Sequence, residues 1–335
     1  MQCPYCERRC RLENGSYGFC RMYEAVDGEV IERFPDKWCS YEVSRIESIP
    51  FYHAYPGSRC LVIGTSSCNF DCRYCSNAYI AKEDPAGMQD VMISIPPENM
   101  VAMAKKLGCH NIVFSINEPT VSLPSLLRLS EAAKAAHIPM GCLSNGYATP
   151  EGLEMLADVF SFVNVSLKGL SADFCRQYLG IPDSGPVVHA IEQLSKRCHV
   201  EVTTPIIESE NEGELDQMAD ILAGINPEIP WHAFRLLPTY KMSDQEYQSI
   251  TELNGKLETL RQRLPHIYFH NFIGSEWVDT LCPDCGAPVI TRFSLGCGGD
   301  KLDECLADGD KCPKCGRRLY MLGTKVAWDS KESAL

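Results

Sequence analysis

Residues 59–75 read RCLVIGTSSCNFDCRYC, and this stretch decides the fold. The apolar run Arg59–Thr65 predicts a short buried strand, and a loop with three cysteines follows it at once. Cys68, Cys72 and Cys75 place three thiolates on one loop, and such soft ligands suit an iron–sulfur cluster. Three ligands leave one iron of a cubane open to a ligand from outside the protein. A structural zinc loop, or an electron-transfer cluster with a remote fourth cysteine, is the alternative.

Strands and helices alternate on both sides of this loop, from about residue 58 to residue 275. The predicted strands are Arg59–Thr65, Asn111–Ile116, Met140–Ser144, Phe162–Leu167, His199–Thr204, His232–Leu236 and Ile267–His270. The predicted helices are Pro97–Leu107, Ser122–Ala136, Pro150–Ala157, Ala172–Tyr178, Val187–Ser195, Glu212–Ala223 and Ser243–Gln262. Strands joined by helical crossovers form parallel sheets, so the pattern predicts an α/β fold with a parallel barrel or part of one.

Three regions are expected: a Cys-rich module at 1–57, the barrel at 58–275 and a zinc-ribbon-like module at 276–335. Parallel sheets of this kind bind ligands at the carboxyl ends of their strands. We therefore expect the functional loops to follow Thr65, Ile116, Ser144, Leu167, Thr204 and Leu236.

Composition excludes several classes of function. The chain has 335 residues, with 31 Lys and Arg against 44 Asp and Glu, which gives a net charge of −13. Broad affinity for nucleic acid or for an anionic membrane is not expected. Apolar runs such as Val159–Val163 are far shorter than the ~18 residues that cross a bilayer. The first residues lack the pattern of a secretory signal, so we expect a cytoplasmic protein.

The 19 cysteines are clustered, which favours metal ligands over disulfides. Two CPxCG knuckles, Cys282 with Cys285 and Cys312 with Cys315, suit tetrahedral zinc, with an auxiliary iron–sulfur cluster as the alternative. The roles of Cys297 and Cys305 stay open. A third group is a candidate for zinc or iron–sulfur with neither favoured, and it comprises Cys3, Cys6, Cys10 and Cys20.

The three-cysteine loop resembles the signature of the radical S-adenosylmethionine (SAM) superfamily, C-x3-C-x-aromatic-C, with Tyr74 in the aromatic place. The resemblance implies a partial (β/α)6-type barrel and a 4Fe–4S cluster whose open iron SAM chelates. It also implies reductive cleavage of SAM to a 5′-deoxyadenosyl radical, which abstracts hydrogen from a substrate. Because the reactive species belongs to the cofactor, no acid or base is assigned as catalytic.

The same resemblance implies SAM-binding roles for residues on three further loops. Glu118, in Asn117-Glu118-Pro119-Thr120, matches the acidic residue of a Gly-Gly-Glu-type motif that binds the SAM amino group, although Asn117 replaces the usual glycine. Ser144 and Asn145 match a Thr-Asn-Gly stretch near the SAM ribose and carboxylate. Lys168 matches a lysine that can meet the SAM carboxylate. A helix-initiating turn, an Asn-Gly turn and a solvated charge are the structural alternatives.

Across nearly the whole chain, the order of motifs resembles the AmmeMemoRadiSam-system radical SAM proteins, relatives of pyruvate formate-lyase activating enzymes. It runs from the N-terminal cysteines through residues 50–58 (PFYHAYPGS) and the cysteine loop to Arg235-x2-Pro238-x-Tyr240-Lys241-Met242. The implied partners are SAM, a one-electron donor such as flavodoxin or ferredoxin, and an unidentified substrate for which a protein or peptide is one candidate.

Two alternative functions remain. A glycyl-radical activase is one, but Leu143 and Ser166 stand where such activases carry acidic residues. A non-catalytic zinc-ribbon protein that binds nucleic acid is the other. Residues 276–335 hold 8 Lys and Arg against 10 Asp and Glu, so they lack the basic face that such binding needs.

Overall fold

The N-terminal region wraps onto the main body of the protein. The computed structural model describes residues 1–296 and 299–326. The first strands are β1 (Tyr23–Val26), β2 (Glu29–Glu32), β3 (Lys37–Trp38) and β4 (Ser40–Arg45). β1 and β2 form an antiparallel hairpin, and β3 pairs with β6 (Ile93–Ser94). β4 joins the main sheet antiparallel to its neighbour, so part of the predicted 1–57 module is built into the barrel.

The main sheet has eight strands in the order β12-β11-β10-β9-β8-β7-β5-β4. Its other strands are β5 (Arg59–Gly64), β7 (Asn111–Phe114), β8 (Met140–Ser144), β9 (Phe162–Ser166), β10 (His199–Ile206), β11 (Trp231–Arg235) and β12 (Ile267–His270). These seven strands run parallel to one another, and β4 is antiparallel to β5. The predicted α/β fold with a partial parallel barrel is confirmed, with β4 and β12 at the edges.

Helices cover the outside of the sheet. They are α1 (Ala78–Ala81), α2 (Pro97–Lys106), α3 (Leu123–Ala135), α4 (Pro150–Val159), α5 (Ala172–Phe174), α6 (Gly185–Leu194), α7 (Leu215–Ile225) and α8 (Ile250–Leu260). The predicted start of α8 at Ser243 is wrong, because Ser249 caps the helix by accepting the Glu252 N–H. The predicted helix Ala172–Tyr178 is split, and a π-helical turn at Cys175–Leu179 follows α5.

The inward face of the sheet is filled by the segment before β5. Phe51 and Ala54 pack against Val62 of β5, Val113 of β7 and Phe162 of β9. Since strand side chains alternate, the opposite faces of these strands pack against the helices. The PFYHAYPGS stretch at 50–58 therefore plugs the barrel interior.

The C-terminal region lies against the barrel. It contains β13 (Thr280–Leu281), β14 (Pro288–Ser294) and β15 (Asp300–Cys305), paired antiparallel in that order. The Arg292 guanidinium of β14 donates to the Tyr52 carbonyl at 2.6 Å, so this small sheet is fastened to the plug. Within the described part of the chain, every helix is too short or too polar to span a membrane.

Candidate active site

The predicted functional loops meet around one cavity of about 410 Å³ at the carboxyl ends of the parallel strands. This volume is typical of small-molecule sites. The predicted residues that line it are Cys68, Cys72, Tyr74, Cys75, Asn117, Glu118, Ser144, Asn145 and Lys168. Leu143 and Ser166 line it as well. The structure thus brings the predicted SAM-site residues together, while their individual roles stay predictions.

The three-cysteine loop forms one wall of this cavity. Burial raises the pKa of the Cys68 thiol to about 12, and the Phe70 N–H donates to its sulfur at 3.4 Å. Burial also raises the pKa of the Cys72 thiol, and the nearby Lys168 and Lys82 ammonium groups offset part of that rise. Free thiolates are unfavourable in such surroundings, whereas bound metal stabilises them. Buried sulfurs beside N–H donors and lysines fit an anionic iron–sulfur cluster.

Glu118 organises two loops. It is 2% exposed, and its carboxylate accepts the Thr120 N–H at 3.1 Å, the Asn145 N–H at 2.7 Å and the Ser144 hydroxyl at 3.0 Å. The Thr120 hydroxyl is a fourth donor. Burial raises the pKa of Glu118, and these donors act in the opposite direction. A carboxylate accepts about four hydrogen bonds, so contacts within the protein hold the Glu118 carboxylate in place at the cavity wall, where its negative charge suits an ammonium group.

Asn117 fastens the cysteine loop to the strand before it. Its Oδ1 accepts the Thr65 N–H at 3.0 Å, and its Nδ2 donates to the Ser66 and Ser67 carbonyls at 3.1 and 2.9 Å. The whole amide is used within the protein, which gives Asn117 a structural role. A direct contact with SAM stays a prediction.

Asn145 reaches the sulfur of the first cysteine. Its Nδ2 lies 3.8 Å from the Cys68 Sγ and 2.6 Å from the Asn69 Oδ1. Its own Oδ1 accepts the Tyr147 N–H at 3.0 Å, which fixes the amide orientation. Asn145 thus lies beside a predicted cluster ligand.

Lys168 supplies a positive charge at the same wall. Its Nζ lies 5.8 Å from the centre of the Tyr74 ring. Across residues 1–296 and 299–326 the Lys168 ammonium forms no ion pair, so its charge is available to a carboxylate in the cavity.

Several buried polar atoms in the cavity wall have no hydrogen-bond partner among the described residues. They are the Tyr74 hydroxyl, Thr203 Oγ1, Arg235 Nε and Asp300 Oδ1. Buried polar groups are normally satisfied, and exceptions concentrate where a ligand binds. Together with the Glu118 carboxylate, and with Lys168, which forms no ion pair among the described residues, they fit a ligand with an ammonium, a carboxylate and other polar groups, as SAM has.

Comparison with known families agrees with this geometry, since residues 62–222 match the family model of the Radical SAM superfamily. This part of the chain is a radical SAM domain. Such a domain implies SAM and a 4Fe–4S cluster as cofactors.

Individual relatives add little beyond the radical SAM domain. An uncharacterized protein of Methanocaldococcus jannaschii, MJ0808, is 28% identical over 325 residues, which are 95% of each chain. Streptococcus suis SuiB, solved bound to the precursor peptide SuiA, has a TM-score of 0.49 at 14% identity, with 65% of this chain and 48% of SuiB covered. Escherichia coli QueE has a TM-score of 0.44 at 14% identity, with 70% and 93% covered. The chain spans about half the length of SuiB.

A buried polar network, which the sequence analysis missed, reaches the cavity. The Glu201 carboxylate accepts the Tyr52 and His53 N–H groups, each at 2.9 Å. It lies 2.6 Å from the His232 Nε2, and the His232 Nδ1 lies 3.1 Å from the His270 Nε2. The His270 Nδ1 lies 2.8 Å from Asp300 Oδ2. His270 and Asp300 line the cavity, so the network joins the barrel interior to the site.

Burial keeps His270 neutral. It lowers the pKa of His270 to about 4, so the ring is uncharged at pH 7. The His270 Nδ1 donates to Asp300, because a carboxylate only accepts, and its Nε2 accepts from His232. The paired histidines hold the pKa of Glu201 well below its usual range.

Acidification should destabilise the fold through His270. Its pKa in the unfolded chain is about 6.5. Between that pH and the folded pKa of about 4, the unfolded state binds a proton that the native state does not. Stability therefore falls as the pH is lowered through this window, by roughly 3 kcal/mol from this residue. Urea midpoints measured from pH 7 to pH 4 test this, and a His270→Gln variant should show a shallower fall. Equal slopes in both proteins would contradict this assignment.

The C-terminal knuckles come together as predicted. The sulfurs of Cys282, Cys285, Cys312 and Cys315 all lie within 4.8 Å of one another. The Cys282–Cys315 and Cys285–Cys312 sulfur distances are both 3.6 Å. Zinc–sulfur bonds of about 2.3 Å in a tetrahedron require sulfurs about 3.8 Å apart, so a single ion fits. Cys305 lies outside this group and packs in the small core around Val289. Cys297 lies outside the described residues.

The N-terminal quartet also gathers at one place. Cys3, Cys6, Cys10 and Cys20 line a second, smaller pocket between the first 20 residues and the barrel. Its metal content stays a prediction at this stage.

Proposed function

We propose that this protein reductively cleaves SAM at a 4Fe–4S cluster held by Cys68, Cys72 and Cys75, and uses the resulting radical to abstract hydrogen from a substrate. One observation carries this: Cys68, Cys72 and Cys75 line the same cavity as the buried Glu118 carboxylate and the Lys168 ammonium, which forms no ion pair among the described residues. When bound, the cluster supplies the electron that breaks the sulfonium S–C5′ bond.

The residues around the cysteine loop would bind and orient SAM. Glu118 offers its negative charge to the amino group, and Lys168 offers its ammonium to the carboxylate. Ser144 donates to Glu118, and Asn145 lies beside the Cys68 sulfur, so both residues hold their loop against the site. The Tyr74 hydroxyl is a further hydrogen-bonding group in the cavity wall. Because Glu118, Ser144 and Asn145 are already fixed by contacts within the protein, these three residues need little reorganisation when SAM binds.

The far side of the cavity would bind the substrate. Arg235 lies there with its guanidinium 4.6 Å from the Tyr247 ring centre, and within the described residues it forms no ion pair. His270 and Asp300 lie at the same end. A cation beside a buried His–Asp pair suits a polar substrate with an anionic group. The network behind His270 would supply or accept a proton.

The AmmeMemoRadiSam-type assignment rests on the motif order, and the substrate itself stays unassigned. Leu143 and Ser166, which replace acidic residues of the activases, both line the cavity. Their apolar and neutral side chains give no support to an activase-like cation site there. We also propose zinc in the C-terminal quartet, because its sulfur spacing fits one tetrahedral ion. A flavodoxin or ferredoxin donor and a cytoplasmic location stay predictions.

Anaerobic reconstitution tests the proposed function. The protein should take up iron and sulfide, show an EPR signal after reduction that changes when SAM is added, and then form 5′-deoxyadenosine. Reduced, iron-loaded protein that binds no SAM and forms no 5′-deoxyadenosine would refute the proposal.

The role of Glu118 has its own test. We expect Glu118→Gln to weaken SAM binding about 10- to 100-fold, because charge-assisted hydrogen bonds contribute roughly 1.5–3 kcal/mol. The iron content should not change, since Glu118 is not a cluster ligand. Equilibrium dialysis with labelled SAM measures the affinity. Glu98→Gln, at an exposed position in the first turn of α2, is the control. Unchanged affinity in Glu118→Gln would remove Glu118 from the SAM site.

A further inference from the structure

Four cysteine sulfurs surround the small pocket between the N-terminal residues and the barrel. Cys3, Cys6 and Cys20 are 7–9% exposed, and Cys10 is half-buried. Gly18 permits this arrangement, because a Cβ there would lie 2.8 Å from the Cys10 Cβ. Turns in the first 20 residues thus bring four cysteine side chains around the same pocket.

Each of these sulfurs accepts a backbone N–H. The donor and acceptor pairs are Tyr5 to Cys3, Arg8 to Cys6, Phe19 to Cys10 and Met22 to Cys20. In three of the pairs the donor lies two residues after the cysteine, as Phe70 does for Cys68. Backbone donors aimed at buried sulfurs stabilise thiolates, which are the form that binds metal. Cys312 and Cys315 of the C-terminal quartet accept such N–H groups as well, so these donors indicate a metal centre, and the spacing of the sulfurs indicates its kind.

Sulfur spacing separates this quartet from the C-terminal one. Among the described residues, Cys282, Cys285, Cys312 and Cys315 form a group that could hold a single metal ion, with sulfurs all within 4.8 Å of one another. Neither the N-terminal quartet nor the triad of the radical SAM domain forms such a group among these residues. Ligands that each bind a different iron of a cubane stand further apart than ligands that share one ion. The N-terminal quartet therefore resembles the triad and not a zinc site.

Asn69 connects the quartet to the triad. This fully buried residue precedes Phe70 and follows Cys68 directly. Its side chain hydrogen-bonds to the Cys6 sulfur and to Asn145, whose Nδ2 lies 3.8 Å from the Cys68 sulfur. A short path of bonds and hydrogen bonds thus joins a sulfur of one group to a sulfur of the other.

We infer that Cys3, Cys6, Cys10 and Cys20 bind a second 4Fe–4S cluster, which relays single electrons through Asn69 to the cluster of the radical SAM domain. The relay rests on the proposed function, whereas cluster binding does not. A low-potential flavin or iron–sulfur protein donates one electron to the N-terminal cluster. That cluster is reoxidised by one electron when the triad's cluster is reduced by one.

Metal analysis and EPR of the full-length protein test both statements. Anaerobically reconstituted protein should contain about eight irons per chain, and about four after Cys68, Cys72 and Cys75 are all replaced by alanine. A Cys3→Ala/Cys20→Ala variant should also keep about four irons and should still change its EPR signal with SAM. Cys39→Ala, outside all three cysteine groups, should match the wild type. With both clusters reduced, the wild-type EPR spectrum should show broadening by spin–spin coupling that both cluster variants lose.

Two results would overturn the inference. One is a triad variant without iron. The other is a wild-type protein that contains more zinc than the C-terminal quartet holds, if the Cys3→Ala/Cys20→Ala variant lacks this additional zinc. An unbroadened spectrum from protein with about eight irons would reject the relay alone. Iron in the quartet without SAM cleavage by the wild type would reject the proposed function and leave the second cluster standing.

Discussion

Proteins with Cys68→Ala, Cys72→Ala or Cys75→Ala should form no detectable 5′-deoxyadenosine after anaerobic reconstitution and reduction. Each cysteine would hold one iron of the cluster, and no other described cysteine lines the cavity to replace it. Removal of one thiolate exposes a second iron, and the cluster is then lost or holds SAM wrongly. The product is measured by chromatography after a fixed time with dithionite and SAM.

The matched control for these variants is Cys39→Ala. Cys39 is half-buried in the loop between β3 and β4 and lies outside the cavity. Its substitution should leave the yield of 5′-deoxyadenosine close to that of the wild type. A triad variant that cleaves SAM at the wild-type rate would show that its cysteine is not a ligand of the catalytic cluster.

Glu201→Ala should lower the free energy of unfolding by about 3–5 kcal/mol, the largest stability effect that we expect outside the metal sites. The carboxylate accepts two backbone N–H groups of the plug and is paired with His232, all fully buried. Alanine would leave these donors, and the His232 ring, without this partner. The shift of the urea midpoint, followed by far-UV circular dichroism, measures the effect.

Glu192→Ala is the control for this substitution. Glu192 is an exposed residue of α6 whose ion-pair partner is Lys196 at 2.9 Å, and solvent-exposed pairs of this kind contribute little to stability. We expect a small shift for this variant. If both variants unfold at the same urea concentration, the buried network does not hold the plug in the barrel.

The strands and the cysteine loop could be predicted because their signals are local. An apolar run predicts β5. The spacing of Cys68, Cys72 and Cys75 predicts three cluster ligands without any knowledge of distant residues. Parallel strands then bring Glu118 and Lys168 to the same edge of the sheet, since all carboxyl ends face one way. The grouping of candidate residues in one cavity follows from topology alone.

The role of Asn117 could not be predicted, because it depends on contacts across two strands. Its amide is matched to the carbonyls of Ser66 and Ser67, and the chain trace there is set by the neighbouring strand β5. A motif with glycine at that position carries no information about such a contact. The pairing of β4 with β5 was missed for the same reason, since edge strands are chosen by tertiary contacts.

The sequences of three strands contain a pattern that indicates the buried network. His199 and Glu201 alternate with apolar residues along β10, and His232 and His270 occupy the next two strands. Polar residues at every second position of an otherwise apolar strand point to a filled, polar barrel interior. The partners of this network, Tyr52 from the plug and Asp300 from β15, come from distant parts of the chain, so its closure is visible only in three dimensions.

Electron–nuclear double resonance on the reduced protein, with SAM isotopically labelled at its amino nitrogen, tests the central claim most directly. The account predicts hyperfine coupling between the labelled nitrogen and the cluster in the wild type and in the Cys3→Ala/Cys20→Ala variant. The account would be contradicted if the protein were saturated with SAM and its reduced radical SAM cluster still showed no such coupling. Every iron of that cluster would then be ligated by the polypeptide.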